Sequence, residues 1–175
     1  KSFDTDLFIS MSFNQILKKE ILNIPEKGFI NCHAGALPFY RGRNILNWAL
    51  INDEKEFGVT VHYIDEGFDT GDIIIQKKSQ ISDEDTYESL LEKATVICAD
   101  TLYEALDEIR LGKVNKIKQS SIHPVGSYFC RRKEGDEWIS WTWKTRRIFN
   151  FIRAISHPGP LAQTAYKGSI LKISR

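Results

Sequence analysis

The chain has 175 residues, of which 42% are hydrophobic and 27% charged, and its formal net charge is +1. That length and composition suit one main globular core and exclude a low-complexity or disordered chain, while the near-neutral charge gives no sign of broad nonspecific binding to nucleic acid. No apolar run approaches the roughly 20 residues of a membrane span, and no secretory leader is visible.

Three scattered cysteines, Cys32, Cys98 and Cys130, argue against a disulfide framework and for a reducing cytoplasmic setting. The absence of a Cys-x-x-Cys pair leaves a structural zinc site without support. The sequence starts at Lys1-Ser2-Phe3 and closes on the strand-like Ile170-Leu171-Lys172-Ile173, which reads as a segment of a longer protein.

In chain order, Asp6 to Ser10 is a short apolar run that reads as a buried strand. Asn14 to Leu22 reads as a helix with Ile16, Leu17, Ile21 and Leu22 on one face. Pro25 and Gly28 mark a loop, and Phe29 to His33 is the next strand, its apolar start suiting a sheet covered on both faces. Gly35, Pro38, Arg41, Gly42 and Arg43 form a loop, with Asn44 as cap of a helix reaching Leu50. Phe57 to Ile64 alternates as a strand, Glu66 to Gly71 is a turn-rich loop, and Ile73 to Gln76 is another strand. Ser82 reads as an N-cap with acids Asp83, Glu84 and Asp85 in the first turn of a helix running to Arg110 before Gly112. Lys113 to Gln119 is a polar, basic connector. Arg146 to Ile155 reads as a short helix, and Thr164 to Tyr166 with Ser169 to Ile173 as a hairpin around Lys167-Gly168. The layout is an α/β body over residues 1–119 and a small, more β-like extension over residues 120–175, part helix and part hairpin.

Asn31-Cys32-His33-Ala34-Gly35 and Asp69-Thr70-Gly71 place an amide, an imidazole and a carboxylate at strand ends. An amide can hold an oxyanion, an imidazole can move a proton, and a carboxylate can orient the imidazole and raise its basicity. Those roles fit transfer of an acyl group to an amine, and they require no metal. Each residue also has a plain structural reading: Asn31 tying off a strand, His33 as a satisfied core histidine, Asp69 as a turn residue. Cys32 and Cys98 read as core, and His62 as a structural histidine that braces the following loop. Arg41 and Arg43 stand evenly between phosphate ligands and solvated loop charges. Trp138, Trp141 and Trp143 read as packing residues, and Arg131-Arg132-Lys133 as a solvated basic loop.

Phe29 to Pro38, then Arg41-Gly42, then His62 to Gly71 resemble the folate-dependent formyltransferases, which include methionyl-tRNA and sugar-nucleotide N-formyltransferases. The Asn-x-His motif, the Leu-Pro after it and the downstream Asp-x-Gly occur in family order. The resemblance is dense from Asp6 to Gln76 and weaker from Tyr128 to Ile173. It implies a Rossmann-like, mostly parallel sheet, preceded in the family by further strands and helices before the position of Asp6. It implies Asn31, His33 and Asp69 as catalytic residues and 10-formyltetrahydrofolate as formyl donor. It also implies a pterin site made by Phe13, Gln15, Ile16 and Leu17 with the loop residues Ile64, Asp65, Glu66 and Gly67. For the acceptor, Arg43-Asn44 and Asn47-Trp48-Ala49 resemble the sugar branch, and the tail lacks a strongly basic character. The expectation is therefore formyl transfer to the amine of a nucleotide-linked amino sugar, with Arg41 and Arg43 as its ligands and a homodimer as the assembly suggested by analogy. Transfer to methionyl-tRNA is the alternative, with tRNA the less favoured partner. A noncatalytic folate-binding fragment is the third reading.

Overall fold

The computed structural model describes residues 5–13 and 15–174. Four strands form the main sheet: β1 (Phe8–Met11), β2 (Phe29–His33), β4 (Glu56–Tyr63) and β5 (Ile73–Gln80), in the order β1-β2-β4-β5. β1 and β2 run parallel, while β2 with β4 and β4 with β5 are antiparallel. The α/β class expected from the sequence and the small C-terminal antiparallel strands, β7 (Ala162–Tyr166) and β8 (Ser169–Ile173), are both present. The other elements are α1 (Lys19–Leu22), the two-residue strand β3 (Arg41–Gly42), α2 (Ile45–Ile51), α3 (Tyr87–Leu111), α4 (Gln119–Ile122), β6 (Tyr128–Phe129) and α5 (Thr145–Ala154).

The core lies between the sheet and the helices. α3 buries Leu90, Ala94, Cys98, Thr101, Ala105 and Ile109, a stripe at three- and four-residue spacing. All of these except the polar Thr101 share one cluster with Ile30 of β2 and Val59 and Val61 of β4. β4 is buried from Phe57 to His62, as a strand covered on both faces must be. α2 and α5 pack together, and Phe151, Ala154, Ile155 and Ala162 join that same cluster, so the chain beyond residue 119 shares apolar contacts with the residues before it. Among the described residues, no helix is long and apolar enough to cross a membrane.

Several boundaries differ from the sequence expectation. The helix expected from Asn14 shrinks to Lys19–Leu22, with Asn14 itself outside the described residues. α1 has no side-chain cap and buries nothing, and Ile16 and Ile21 stay exposed, so little packing stabilises a longer helix. α3 starts at Tyr87 rather than Asp83. Thr86 makes the capping box with Ser89, and Asp85 turns inward instead of sitting in the first helical turn. Asn44 does precede α2, but in a left-handed conformation with no capping bond; its Oδ1 accepts from the Arg132 amide at 2.9 Å. β5 runs on through the polar Lys77–Gln80 because each residue finds a partner on Glu56–Val59. The loop after β2 carries β3, which pairs with β6 across a long sequence gap.

Candidate active site

Side-chain alternation puts Asn31 and His33 on one face of β2. The antiparallel register sets Asn31 opposite His62 and His33 opposite Thr60, so four polar side chains gather at one end of the β2–β4 ladder. A register shift between Val61 and His62, where β4 meets β5, marks the same spot. Cys32 faces away into the core, with its Sγ 3.7 Å from the Cys98 carbonyl. The alternation that gathers Asn31 and His33 on one face turns Cys32 to the other.

His33 is held by its backbone surroundings. Its Nε2 lies 2.7 Å from the Tyr40 carbonyl, and a carbonyl only accepts, so Nε2 carries the proton and donates. The chain from Gly35 to Tyr40 must fold back tightly for this. A Cβ on Gly35 would stand 2.3 Å from Tyr40 O and 2.5 Å from His33 Nε2, so only glycine fits there. Thr60 fastens the same turn: its hydroxyl donates to Gly35 O at 2.6 Å and accepts from Gln76 Nε2 at 2.8 Å. In the neutral ring the free lone pair is then on Nδ1, which faces Asp69 Oδ2 at 3.8 Å.

His62 is the second imidazole. Its Nδ1 is 2.7 Å from the Tyr63 carbonyl and therefore donates, which leaves Nε2 as acceptor for Asn31 Nδ2 at 3.3 Å. Nε2 also lies 3.7 Å from Asp69 Oδ1. Burial and the nearby His33 push its pKa down to about 4, although Asp69 pulls the other way, so the ring is neutral at ordinary pH. The two rings stand edge to face, centroids 6.4 Å apart.

Asp69 joins the cluster from the loop between β4 and β5. Its carboxylate oxygens face the two histidines separately, and Oδ2 accepts from the Gly42 amide at 2.9 Å. Its backbone is left-handed, with φ of 53°. Gly42, at φ of 101° and with a Cβ position only 2.1 Å from Phe129 O, is the residue that can bring that amide so close. Gln119 Nε2 donates to Asp69 O and to Gly71 O, both at 2.8 Å.

A cavity of about 550 Å³ opens beside these groups, within the usual range for a small-molecule site. His33, His62 and Asp69 line it, and Asn31 is attached to its wall through His62. Of the residues expected around the donor, Phe13, Gln15, Ile16, Leu17, Ile64, Asp65 and Gly67 line the cavity, whereas Glu66 does not and pairs with Lys19 at 3.4 Å on the surface. Asp65 caps its own loop, accepting from Gly67 N and Thr70 Oγ1. Arg43 lines the cavity; Arg41 does not, and its guanidinium bonds Gln119 and the Val125 carbonyl. Arg131 and Tyr128 also line it, although the sequence marked neither as a site residue. His62 lay within the motif yet read as structural, and Gln119 read as connector, because only the fold shows what each touches.

A cavity flanked by an amide, two imidazoles and a carboxylate on an α/β scaffold carries the groups that acyl transfer needs. Residues 1–106 match the family described as formyl transferase, and the chain belongs to that family. It is 42% identical over 173 residues to the methionyl-tRNA formyltransferase of Thermodesulfovibrio yellowstonii, covering 99% of this chain and 55% of that protein. Among solved structures, it resembles the formyltransferase PseJ from Anoxybacillus kamchatkensis in complex with UDP-4,6-dideoxy-4-formamido-L-AltNAc and tetrahydrofolate, with 33% identity, a TM-score of 0.65, and coverage of 73% and 65% of the two chains. The fold also matches a methionyl-tRNA formyltransferase from Clostridium thermocellum at a TM-score of 0.75 and 24% identity, covering 97% of this chain and 71% of that one. The chain spans about half the length of the curated relatives it matches.

These comparisons correct one expectation from the sequence. A nucleotide-linked amino sugar was expected as acceptor, with tRNA as the less favoured partner. Eight curated relatives, 35–42% identical over nearly the whole chain, all carry the name methionyl-tRNA formyltransferase, while the structural resemblance to a sugar enzyme stands at 33%. The few loop residues that suggested the sugar branch weigh less than identity spread along the chain.

Proposed function

We propose that this chain is the catalytic portion of a methionyl-tRNA formyltransferase, moving a formyl group from 10-formyltetrahydrofolate to the amine of a tRNA-linked methionine. The observation that carries the reading is identity of 35–42% along almost the entire chain to proteins of that name, joined to a cavity flanked by His33, His62 and Asp69. The donor's fit is supported by a cavity of about 550 Å³ whose lining includes Gln15, Leu17, Ile64, Asp65 and Gly67. The donor supplies an electrophilic formyl carbon; everything else is asked of the protein's side chains.

The amine lone pair forms a bond to that carbon, and the carbonyl π pair moves onto oxygen. Asn31 has two N–H groups and gives one to His62, so the second is left for the developing oxyanion. Loss of one such donor typically costs about 10²–10³ in rate. His33, fixed through Nε2, has Nδ1 as its working atom: protonated, it donates to the oxyanion and then, as the oxygen pair re-forms the carbonyl and the bond from the formyl carbon to the folate nitrogen breaks with its pair on nitrogen, gives that nitrogen the proton. Asp69 stabilises the proton on Nδ1 and takes up the one shed by the attacking amine, directly or through a water. Its separation of 3.8 Å is an ion-pair distance that tightens when substrates close the site. His62, kept neutral by burial, orients Asn31 without competing for the proton.

The acceptor is tested by incubating the intact protein with formyl-labelled donor and either methionyl-tRNA or a panel of nucleotide-linked amino sugars. Label on the methionine amine is the expected result. Label on a sugar amine, or on neither acceptor, would refute the reading.

A further inference from the structure

We infer that Gln119 and Arg41 form a positioning pair that sets the aim of the Asp69 carboxylate. The inference rests on the proposal above that Asp69 takes part in transfer, and it assigns Arg41 to the catalytic loop instead of to a substrate.

The geometry uses the whole bonding capacity of one amide. Gln119 is only 3% exposed. Its two N–H groups are spent on Asp69 O and Gly71 O, both at 2.8 Å. Its Oε1 accepts twice from Arg41, from Nε at 3.1 Å and Nη2 at 2.7 Å. The amide cannot be turned over: that would set oxygen against two carbonyls and N–H groups against a guanidinium, and every bond would be lost. Arg41 is anchored in turn, with Nη1 donating to Val125 O at 3.1 Å.

The consequence reaches the carboxylate from two sides. Gln119 grips the backbone on either side of Thr70, and the next residue after Arg41, Gly42, donates its amide to Asp69 Oδ2 at 2.9 Å. Asp69 holds a left-handed backbone, uncommon for a residue with a Cβ, and these bonds keep it there. Its oxygens are thereby presented to His33 and His62 separately. A guanidinium meant for a substrate phosphate would face the cavity, yet Arg41 is absent from its lining and Arg43 is present.

The test is formyl transfer by the intact protein carrying Gln119→Ala, Gln119→Glu, Arg41→Ala, the double Arg41→Ala/Gln119→Ala and Asp69→Asn, with melting temperature recorded for each. Gln119→Glu keeps the shape and the bonds from Arg41 but faces the two carbonyls with a carboxylate, so it tests aim even if the alanine variant folds poorly. The expected result is a fall in kcat of about tenfold or more with donor KM within about twofold. The pH profile of kcat shifts as well, and the double variant is no worse than the poorer single one. If both Gln119 variants keep kcat and the pH profile while Asp69→Asn abolishes transfer, the pair is overturned and the role of Asp69 stands. A raised acceptor KM at unchanged kcat in Arg41→Ala would make Arg41 a substrate ligand and overturn it too. Unchanged transfer in Asp69→Asn would sink both the functional reading and this inference.

Discussion

His62 holds a neutral imidazole against a carboxylate, an arrangement with a cost that depends on pH. Its folded pKa of about 4 lies below the ordinary 6.5. As pH falls, the unfolded chain takes up this proton first, so stability is unaffected above about pH 6.5 and declines through to about pH 4. The full loss from this group is about 3 kcal/mol. Replacing His62 with Gln therefore flattens the acid limb of the stability curve between those two pH values, read by urea unfolding at stepped pH. An equally steep limb in the variant would rule the assignment out. Asp69, the Tyr63 carbonyl and Asp65 pull the ring's pKa up, but burial first and the nearby His33 second outweigh them, and the net shift is downward. At this scale a motif put Asn31, His33 and Asp69 in order along the chain, and the fold gathers them around His62 and one another. The sequence did not disclose that His62 carries Asn31, because the bond depends on a register between strands 31 residues apart.

The start of α3 shows how an element is set by more than its local signals. Ser82, Asp83, Glu84 and Asp85 look like a cap and an acidic first turn, yet Thr86 and Ser89 close the capping box. Asp85 is drawn inward, where it accepts from Ser82 N at 2.8 Å, Ser89 Oγ at 2.8 Å and Lys93 Nζ at 2.6 Å. Burial alone would raise its pKa, but these donors outweigh it and leave the carboxyl at about 2. Asp85→Ala strands several donors at a buried site, and the expected cost is about 2 kcal/mol, measured as a lower urea midpoint at neutral pH. A change under about 0.5 kcal/mol, the scale of ordinary surface substitutions, would show that the cluster contributes little. Of the elements, β2, β4, the body of α3 and the C-terminal hairpin were legible because their periodicity and turn residues lie within the segment. The tail of β5 and the β3–β6 pair were not, because polar residues become strand there only when a distant partner supplies the ladder.

For the whole molecule, the polar contacts that hold the loops to the core cross long stretches of chain. Arg153 of α5 is 1% exposed and bonds Asn150 Oδ1 and the Ser82 carbonyl, tying the segment after β6 to the start of α3. Asn47 of α2 donates to Ala154 O at 2.6 Å across the α2–α5 contact. Such ties explain why the α/β class could be read from the sequence while the support of the cavity could not: a class needs only patterns, a site needs partners. The acceptor was misjudged for a related reason. The tail's lack of strongly basic character was weighed against a tRNA partner, but the chain spans about half the length of the curated relatives it matches, so the charge of this tail describes only that portion.

The claim on which these arguments converge is that His33, aimed by Tyr40 O and poised beside Asp69, moves the proton that lets a formyl group change nitrogen partners. Single-turnover formyl transfer by the intact protein carrying His33→Gln tests it, with folate binding followed in parallel. The rate is expected to fall about 10²-fold or more with donor affinity unchanged. A rate within about twofold of the unsubstituted protein would contradict the claim.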